Sequence, residues 1–146
     1  MTLAIGVDVG GTKVAAGVVD EDGQIIAKLK RSTPAASPAR TEQAIADAVT
    51  ELLVRHQDKV TAIGIGAAGF VDSARATILF APNLAWRDEP LKQRVEERLG
   101  REVRVENDAN ASAWAEARFG AARGYRDVML VALGTGIGAA IPQRPR

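Results

Sequence analysis

Two adjacent glycines between two apolar runs constrain this chain more than any other feature. The first run, residues 3–9, carries Asp8 near its end, and the second begins at Val14. Because Gly10 and Gly11 lack a Cβ and can take a positive φ, the pattern predicts a strand, a tight turn and a second strand. The chain is therefore expected to start with a glycine hairpin.

The residues beside this turn are typical of a phosphate site. The backbone N–H groups of the glycines can approach an anion closely, Thr12 adds a hydroxyl donor and Lys13 adds a cation. Asp8 could hold Mg²⁺ directly or through water. The alternative is a structural hairpin without a ligand, since the stretch matches neither the P-loop nor the dinucleotide motif.

Composition limits the classes of protein that the chain can belong to. Its 146 residues fit one domain, and its formal net charge of +1 gives no electrostatic argument for nucleic acid or an anionic membrane. The chain has no cysteine, which excludes disulfides and thiolate metal sites, and no apolar run long enough to cross a bilayer. We therefore expect a soluble cytoplasmic protein with neither nucleic acid nor membrane as a partner.

Strand-like and helix-like segments alternate along the chain, which predicts an α/β fold. Antiparallel strands are expected at residues 3–9, 14–20 and 24–30, followed by a helix that Thr41 could cap and a buried strand at 60–66. A helix between two strands makes the later part of the sheet parallel. The expected sheet is mixed, with three antiparallel N-terminal strands and flanking helices.

The second half of the chain continues the alternation. The predicted elements are a helix capped by Asp88 and ended by Gly100, a strand at 103–106, a helix from Asn107 or Asp108 to Phe119, and a strand at 127–133. The last of these strands is almost entirely apolar, which is typical of the middle of a sheet.

A second glycine turn follows that strand. Gly134, Thr135 and Gly136 lead into the apolar residues 137–141, which again predicts a strand, a turn and a strand. One glycine turn is usually structural. Two of them in one domain, each with a threonine, could hold a polyphosphate from both sides.

Polar residues gather where a predicted strand ends and a helix begins. Asn107 and Asp108 lie at this junction, where ligands collect in open α/β sheets and where a helix N-terminus stabilises a carboxylate. An ionised aspartate there could bind a sugar or accept the proton of an alcohol nucleophile. The alternative is that Asp108 only caps the helix.

Small residues follow another predicted strand, and an asparagine follows a proline. A ligand could approach the backbone at residues 64–69, and the amide of Asn83 after Pro82 could bind hydroxyl groups. Both stretches could equally be ordinary turns.

These stretches together resemble the N-terminal lobe of a ROK-family sugar kinase, and within that family the actinobacterial type of glucokinase. The resemblance covers residues 3–138 and rests on five motifs in order. They are residues 8–13, 64–69, 82–83 (Pro-Asn), 106–110 (Glu-Asn-Asp-Ala-Asn) and 134–138, and the likeness to the actinobacterial type rests on the run 81–86 (Ala-Pro-Asn-Leu-Ala-Trp).

The resemblance implies an actin-like, ribonuclease-H-like ATPase domain and transfer of phosphate from MgATP to the 6-hydroxyl of glucose. Asp108 matches the family's catalytic base, and Gly69, Asn83 and Asn107 fall in its sugar-binding motifs. The two phosphate motifs match Asp8, Gly10, Gly11, Thr12, Lys13, Gly134, Thr135 and Gly136.

The chain departs from the family in what it lacks. Members are about twice as long, and their second lobe supplies further sugar contacts, the adenosine pocket and a Cys-rich zinc motif that is absent from this sequence. We expect residues 1–141 to form one lobe with an incomplete site, and 142–146 to form a Pro- and Arg-rich tail. His56, the one histidine, is expected to be solvated or partly packed.

Several functions stay open at this point. The chain is either a glucokinase-type enzyme, which could act as a homo-oligomer, or a non-catalytic fragment or sugar-binding regulator of the same family. A kinase for another hexose, such as N-acetylmannosamine, is a further alternative. The DNA-binding type of regulator is disfavoured, because the phosphate motif starts within the first ten residues.

Overall fold

The computed structural model describes residues 2–133 and 137–142. Its elements, in chain order, are β1 (Leu3–Val9), β2 (Lys13–Val19), β3 (Ile25–Ser32), α1 (Pro38–His56), β4 (Val60–Ala67), β5 (Phe70–Val71), β6 (Ile78–Phe80), β7 (Arg87–Glu89), α2 (Leu91–Leu99), β8 (Arg104–Asn107), α3 (Asp108–Phe119), β9 (Leu130–Leu133) and β10 (Ile137–Ala140).

A five-stranded mixed sheet in the order β3-β2-β1-β4-β8 forms the centre of the fold. β1 pairs antiparallel with β2, and β2 with β3, so the predicted antiparallel start is confirmed. β1 and β4 run parallel, as do β4 and β8. The carboxyl ends of three parallel strands therefore meet at one edge of the sheet, where ligands collect in open α/β folds.

The two faces of this sheet differ in character. Side chains alternate along β1, and Ile5, Val7 and Val9 are buried on the face that packs against α1, which itself contacts α2. The intervening residues Gly6 and Asp8 lie on the opposite face and are exposed. The hydrophobic core therefore lies between the sheet and the pair α1 and α2, while α3 covers part of the opposite face beside β4 and β8.

A small antiparallel sheet, β5-β6-β7, was not predicted. Its strands are two or three residues long, too short for a periodic pattern to be recognised. Ile78 and Trp86 are fully buried and attach this sheet to the core. It carries the loop that contains Asn83.

Two of the predicted helix caps, Thr41 and Asp88, differ from those observed, whereas Gly100 ends α2 and Asn107 caps α3 as predicted. Ser37 caps α1, accepting from the backbone N–H of Arg40 at 3.2 Å, because Pro38 is tolerated in the first turn and the helix starts earlier than expected. Thr41 is buried inside that turn. Asp88 does not cap α2, because it is part of β7 and has a φ of +48°; α2 starts after Pro90 without a side-chain cap.

The last predicted strand is shorter and more exposed than expected. β9 pairs with β10 alone within the described part of the chain, and the two form a separate sheet. Leu133 and Ile137 are 78% and 80% exposed. The prediction that this strand lies in the middle of a sheet is therefore wrong for the described residues, although the predicted antiparallel pairing around residues 134–136 is confirmed.

No helix in residues 2–133 and 137–142 is both long and apolar enough to cross a membrane.

Candidate functional site

A cleft of about 570 Å³ lies at the carboxyl ends of β1, β4 and β8. The β1–β2 turn, the loop after β4, the loop between β6 and β7 and the start of α3 form one side of it, and the strands β9 and β10 form the other. Six of the residues predicted from the sequence line it together: Gly10, Gly11, Gly69, Asn83, Asn107 and Asp108.

The glycine turn between β1 and β2 is held in place by hydrogen bonds. The N–H of Gly10 donates to the carbonyl oxygen of Lys13 at 2.9 Å, and the hydroxyl of Thr33 donates to the carbonyl oxygen of Gly10 at 2.9 Å. The N–H of Thr33 donates to the carbonyl oxygen of Thr12. Because the Gly10 N–H is used within the turn, the backbone donors left for an anion are those of Gly11 and Thr12, which have no hydrogen-bond acceptor among the described residues.

Close packing brings the glycine turn against the loop of Asn83. A Cβ added to Gly11 would lie 2.8 Å from Cβ of Asn83 and 3.1 Å from its carbonyl oxygen, distances that real Cβ atoms rarely show. Glycine at position 11 is therefore required by tertiary packing. This contact sets the predicted phosphate turn directly beside a predicted sugar-binding residue.

Asn107 connects α3 to the loop after β4. Its Oδ1 caps the helix by accepting from the backbone N–H of Asn110 at 3.2 Å, and its Nδ2 donates to the carbonyl oxygen of Gly69 at 2.8 Å. Gly69 is packed as tightly as Gly11, since an added Cβ would lie 2.8 Å from the carbonyl oxygen of Phe80. One amide hydrogen and one lone pair of Asn107 remain for a ligand.

Asp108 is the first residue of α3 and faces the cleft. Since Asn107 is the cap, the alternative that Asp108 serves only as the N-cap is wrong. Oδ1 of Asp108 accepts from the backbone N–H of Ala109 at 2.8 Å, and the side chain is half-buried. Its carboxylate therefore lies at the positive end of a helix dipole and next to solvent.

Asp8 and Asp108 share a second cavity of about 640 Å³ on the exposed face of the sheet. Partial removal of water around Asp8 raises the pKa of its carboxyl above the usual range, and the negative charge of Asp108 raises it further. A divalent cation bound at Asp8 would offset this repulsion, and a carboxylate oxygen is the kind of ligand that Mg²⁺ takes. The described residues hold no cluster of three or more metal-binding side chains, so water and phosphate would supply the other ligands.

The remaining predicted residues lie near the cleft or outside the described part. Thr12 and Lys13 are exposed at the same turn as Gly10 but do not line the cleft. Gly134, Thr135 and Gly136 lie outside the described residues. The strands on either side of them contribute Leu133 and Ile137 to the cleft wall.

Sequence reasoning missed several residues of the cleft. Ser112 lines both cavities and lies one helical turn after Asp108, so the i, i+4 spacing could have identified it. Phe70 and the apolar residues of β9 and β10 also line the cleft. No local signal in the sequence distinguishes these from core residues.

The family of this chain follows from its similarity to known proteins. The model of the ROK family matches residues 4–144, and the chain belongs to that family. Sugar kinases of this family have the actin-like ATPase fold, so the predicted fold class is confirmed.

The chain is similar to glucokinases in particular. It is 54% identical to the glucokinase of Streptomyces coelicolor over 141 residues, which cover 97% of this chain and 44% of that protein. A crystal structure of a ROK family glucokinase from Streptomyces griseus in complex with glucose and AMPPNP matches with a TM-score of 0.90 and 54% identity, over 99% of this chain and 47% of that one. The chain thus spans less than half the length of these relatives.

Similarity within the family extends to regulators. The xylose repressor of Bacillus subtilis is 31% identical over 141 residues, covering 94% of this chain and 36% of that protein. Membership of the family is therefore compatible with either catalysis or regulation.

Proposed function

We propose that this chain is the phosphate- and sugar-binding lobe of a glucokinase, which transfers the γ-phosphoryl group of MgATP to the 6-hydroxyl of glucose. The observation that carries the proposal is the cleft in which the β1–β2 glycine turn, Asn83, Asn107 and Asp108 meet. The 54% identity to a glucokinase and the glucose complex of a close structural neighbour support the choice of glucose.

The sugar is proposed to bind between Asn83 and the start of α3. The free amide hydrogen of Asn107, the amide of Asn83 and the backbone at Gly69 would bind its hydroxyl groups. Asp108 would accept the proton of the 6-hydroxyl as that oxygen attacks phosphorus, and it would return the proton to solvent after transfer.

The polyphosphate is proposed to lie along the two glycine turns. Donors would be the N–H groups of Gly11 and Thr12, the Thr12 hydroxyl and the Lys13 ammonium group, with Gly134, Thr135 and Gly136 as the proposed second motif. Asp8 would hold Mg²⁺, which would neutralise charge on the phosphates. Catalysis would then come mainly from positioning and from charge stabilisation.

The domain organisation is part of the proposal. Residues 1–141 would form one lobe of the kinase and residues 142–146 a tail, and the adenosine pocket and further sugar contacts would come from the part of the relatives that this chain does not match. On this basis the chain alone is expected to hold an incomplete site. We further propose a cytoplasmic location, where glucose and ATP are both available.

The proposal is tested by ADP formation from MgATP with the purified chain and with glucose, mannose or N-acetylmannosamine. Glucose-dependent turnover that is lost in Asp108→Asn would support the kinase and the role of Asp108. If turnover is highest with N-acetylmannosamine, that sugar and not glucose is the substrate. If the folded chain neither turns over ATP with any sugar nor binds glucose in a calorimetric titration, the proposal that this lobe carries the glucose site is wrong.

A regulatory, sugar-binding role is the second candidate. The similarity to a xylose repressor favours it, because that protein shares this lobe. Such a lobe would bind a sugar without turning over ATP. Asp108→Asn would then weaken sugar binding, and neither wild type nor the variant would form ADP. Calorimetric titration of the chain with glucose and with xylose distinguishes the two roles when it is combined with the ADP assay.

A further inference from the structure

The carboxylate of Glu106 is the centre of a hydrogen-bond network beside the cleft. Its Oε1 accepts from the backbone N–H of Asn107 at 2.9 Å and from the side-chain amide of Asn110 at 3.2 Å. Its Oε2 lies 2.9 Å from Nη1 of Arg75. Donors from three residues therefore fix one carboxylate, which has about four lone-pair sites.

The loop between β5 and β6 presents Arg75 to this carboxylate. Oδ1 of Asp72 accepts from the backbone N–H groups of Ala76 and Thr77 at 2.9 and 3.1 Å, and these bonds hold the pKa of Asp72 below its usual range. Within this turn Arg75 has a φ of +55°, a left-handed conformation that side-chain-bearing residues rarely adopt. The turn thus keeps the guanidinium close to Glu106 at a cost in backbone strain.

The network ends at the proposed sugar site. Glu106 fixes the backbone of Asn107 and the side chain of Asn110, and Asn107 in turn donates to the carbonyl oxygen of Gly69. We propose that Arg75 and Glu106 are positioning residues, which orient the Asn107 amide and the Gly69 loop for the sugar. This inference rests on the proposed function.

The exposure of Arg75 and Glu106 indicates that their ion pair affects the orientation of Asn107 more than the stability of the fold. The side chain of Arg75 is 67% exposed and that of Glu106 is 22% exposed. Ion pairs at such exposure contribute little to folding stability. The geometry of Asn107, by contrast, depends directly on the carboxylate that its backbone N–H contacts.

The test uses ¹⁵N NMR of the whole chain and of four variants. The readout is solvent exchange of the Asn107 side-chain amide, assigned by its loss in Asn107→Asp. In Arg75→Ala and in Glu106→Gln this exchange should rise about fivefold to tenfold, as expected for a weakened hydrogen bond to Gly69. Arg31→Ala is the matched control, since Arg31 pairs with a glutamate on α1 away from the cleft.

A titration with glucose forms the second arm of the test. Both network variants should weaken glucose binding about fivefold to tenfold, while the affinity for Mg²⁺ and AMPPNP and the urea midpoint stay as in Arg31→Ala. If solvent exchange of the Asn107 side-chain amide is the same in both variants as in wild type, the positioning role is overturned, whether or not glucose binds. If the two variants show the predicted exchange changes but the wild-type chain does not bind glucose, the proposed function is overturned and the hydrogen-bond network still stands.

Discussion

Glu42 on α1 is a buried carboxyl group whose titration should control the stability of the fold. Its side chain is 2% exposed, and its Oε1 has no hydrogen-bond partner among the described residues. Burial and the neighbouring carboxylate of Glu89 raise the pKa of Glu42 to about 8, against the opposing effect of Arg98, at 3.4 Å, and Arg94. We therefore expect Glu42 to be protonated in the folded chain at neutral pH.

The sign of the effect follows from the two protonation equilibria. Glu42 has a pKa of 4.5 when it is unperturbed, as in the unfolded chain, and about 8 in the folded one, so the folded state holds more protons between these values. The stabilisation from this proton is fully present below the unfolded pKa and is lost as pH rises through the folded pKa. The free energy of unfolding should fall by up to ~1.4 kcal/mol per pH unit, or on the order of 3–5 kcal/mol in total.

The assay is urea unfolding followed by circular dichroism at pH 5.5, 7.0 and 8.5. Glu42→Gln keeps the shape of the side chain but carries no titratable proton, so its stability should change little over this range and exceed that of wild type at pH 8.5. Glu51 is an exposed glutamate on the same helix, so Glu51→Gln is the matched control, and its stability should depend on pH as that of wild type does. An equal loss of stability with rising pH in Glu42→Gln and wild type would refute the reasoning.

Two further predictions concern the cleft. Gly11→Ala should destabilise the chain by about 1–3 kcal/mol, because its Cβ would meet Asn83 at 2.8 Å, whereas Gly64→Ala meets nothing within 4 Å and should leave the urea midpoint unchanged; equal midpoints would contradict the packing argument. Asp108→Asn should lower the pKa of Asp8, measured by ¹³C NMR of its carboxyl group, but leave it above the usual range, because burial is the larger cause. A constant Asp8 pKa would show that the two carboxylates do not interact.

Local signals in the sequence were sufficient to predict the main elements. Each of these signals comes from residues that are neighbours in the chain. Adjacent glycines predicted the turn after β1, an apolar run predicted β4, and a capping residue predicted the start of α3 at Asn107. The short strands β5, β6 and β7 could not be predicted in this way, because two or three residues carry no period and tertiary pairing stabilises them. The prediction that Thr41 caps α1 was wrong, because the helix begins earlier, at Pro38, and Ser37 caps it.

The site was predictable as a set of residues but not as an arrangement. The sequence identified Asn83 and Asp108 as candidates, yet their distance from the glycine turn depends on packing between segments far apart in the chain. The contact of Gly11 with Asn83 and the repulsion between Asp8 and Asp108 are tertiary effects of this kind. The apolar cleft wall from β9 and β10 likewise has no signature in the local sequence.

The most direct measurement is glucose-dependent ADP formation by a chimera, in which residues 4–141 of this chain replace the matching part of Streptomyces coelicolor glucokinase. The chimera supplies the part of the protein that this chain does not match, so it tests the cleft itself. We expect activity comparable to the parent enzyme and a loss of kcat of about 10²–10⁴-fold in Asp108→Asn, as for removal of a general base. A folded chimera without activity, or full activity in Asp108→Asn, would contradict the assignment of this cleft as the glucose site.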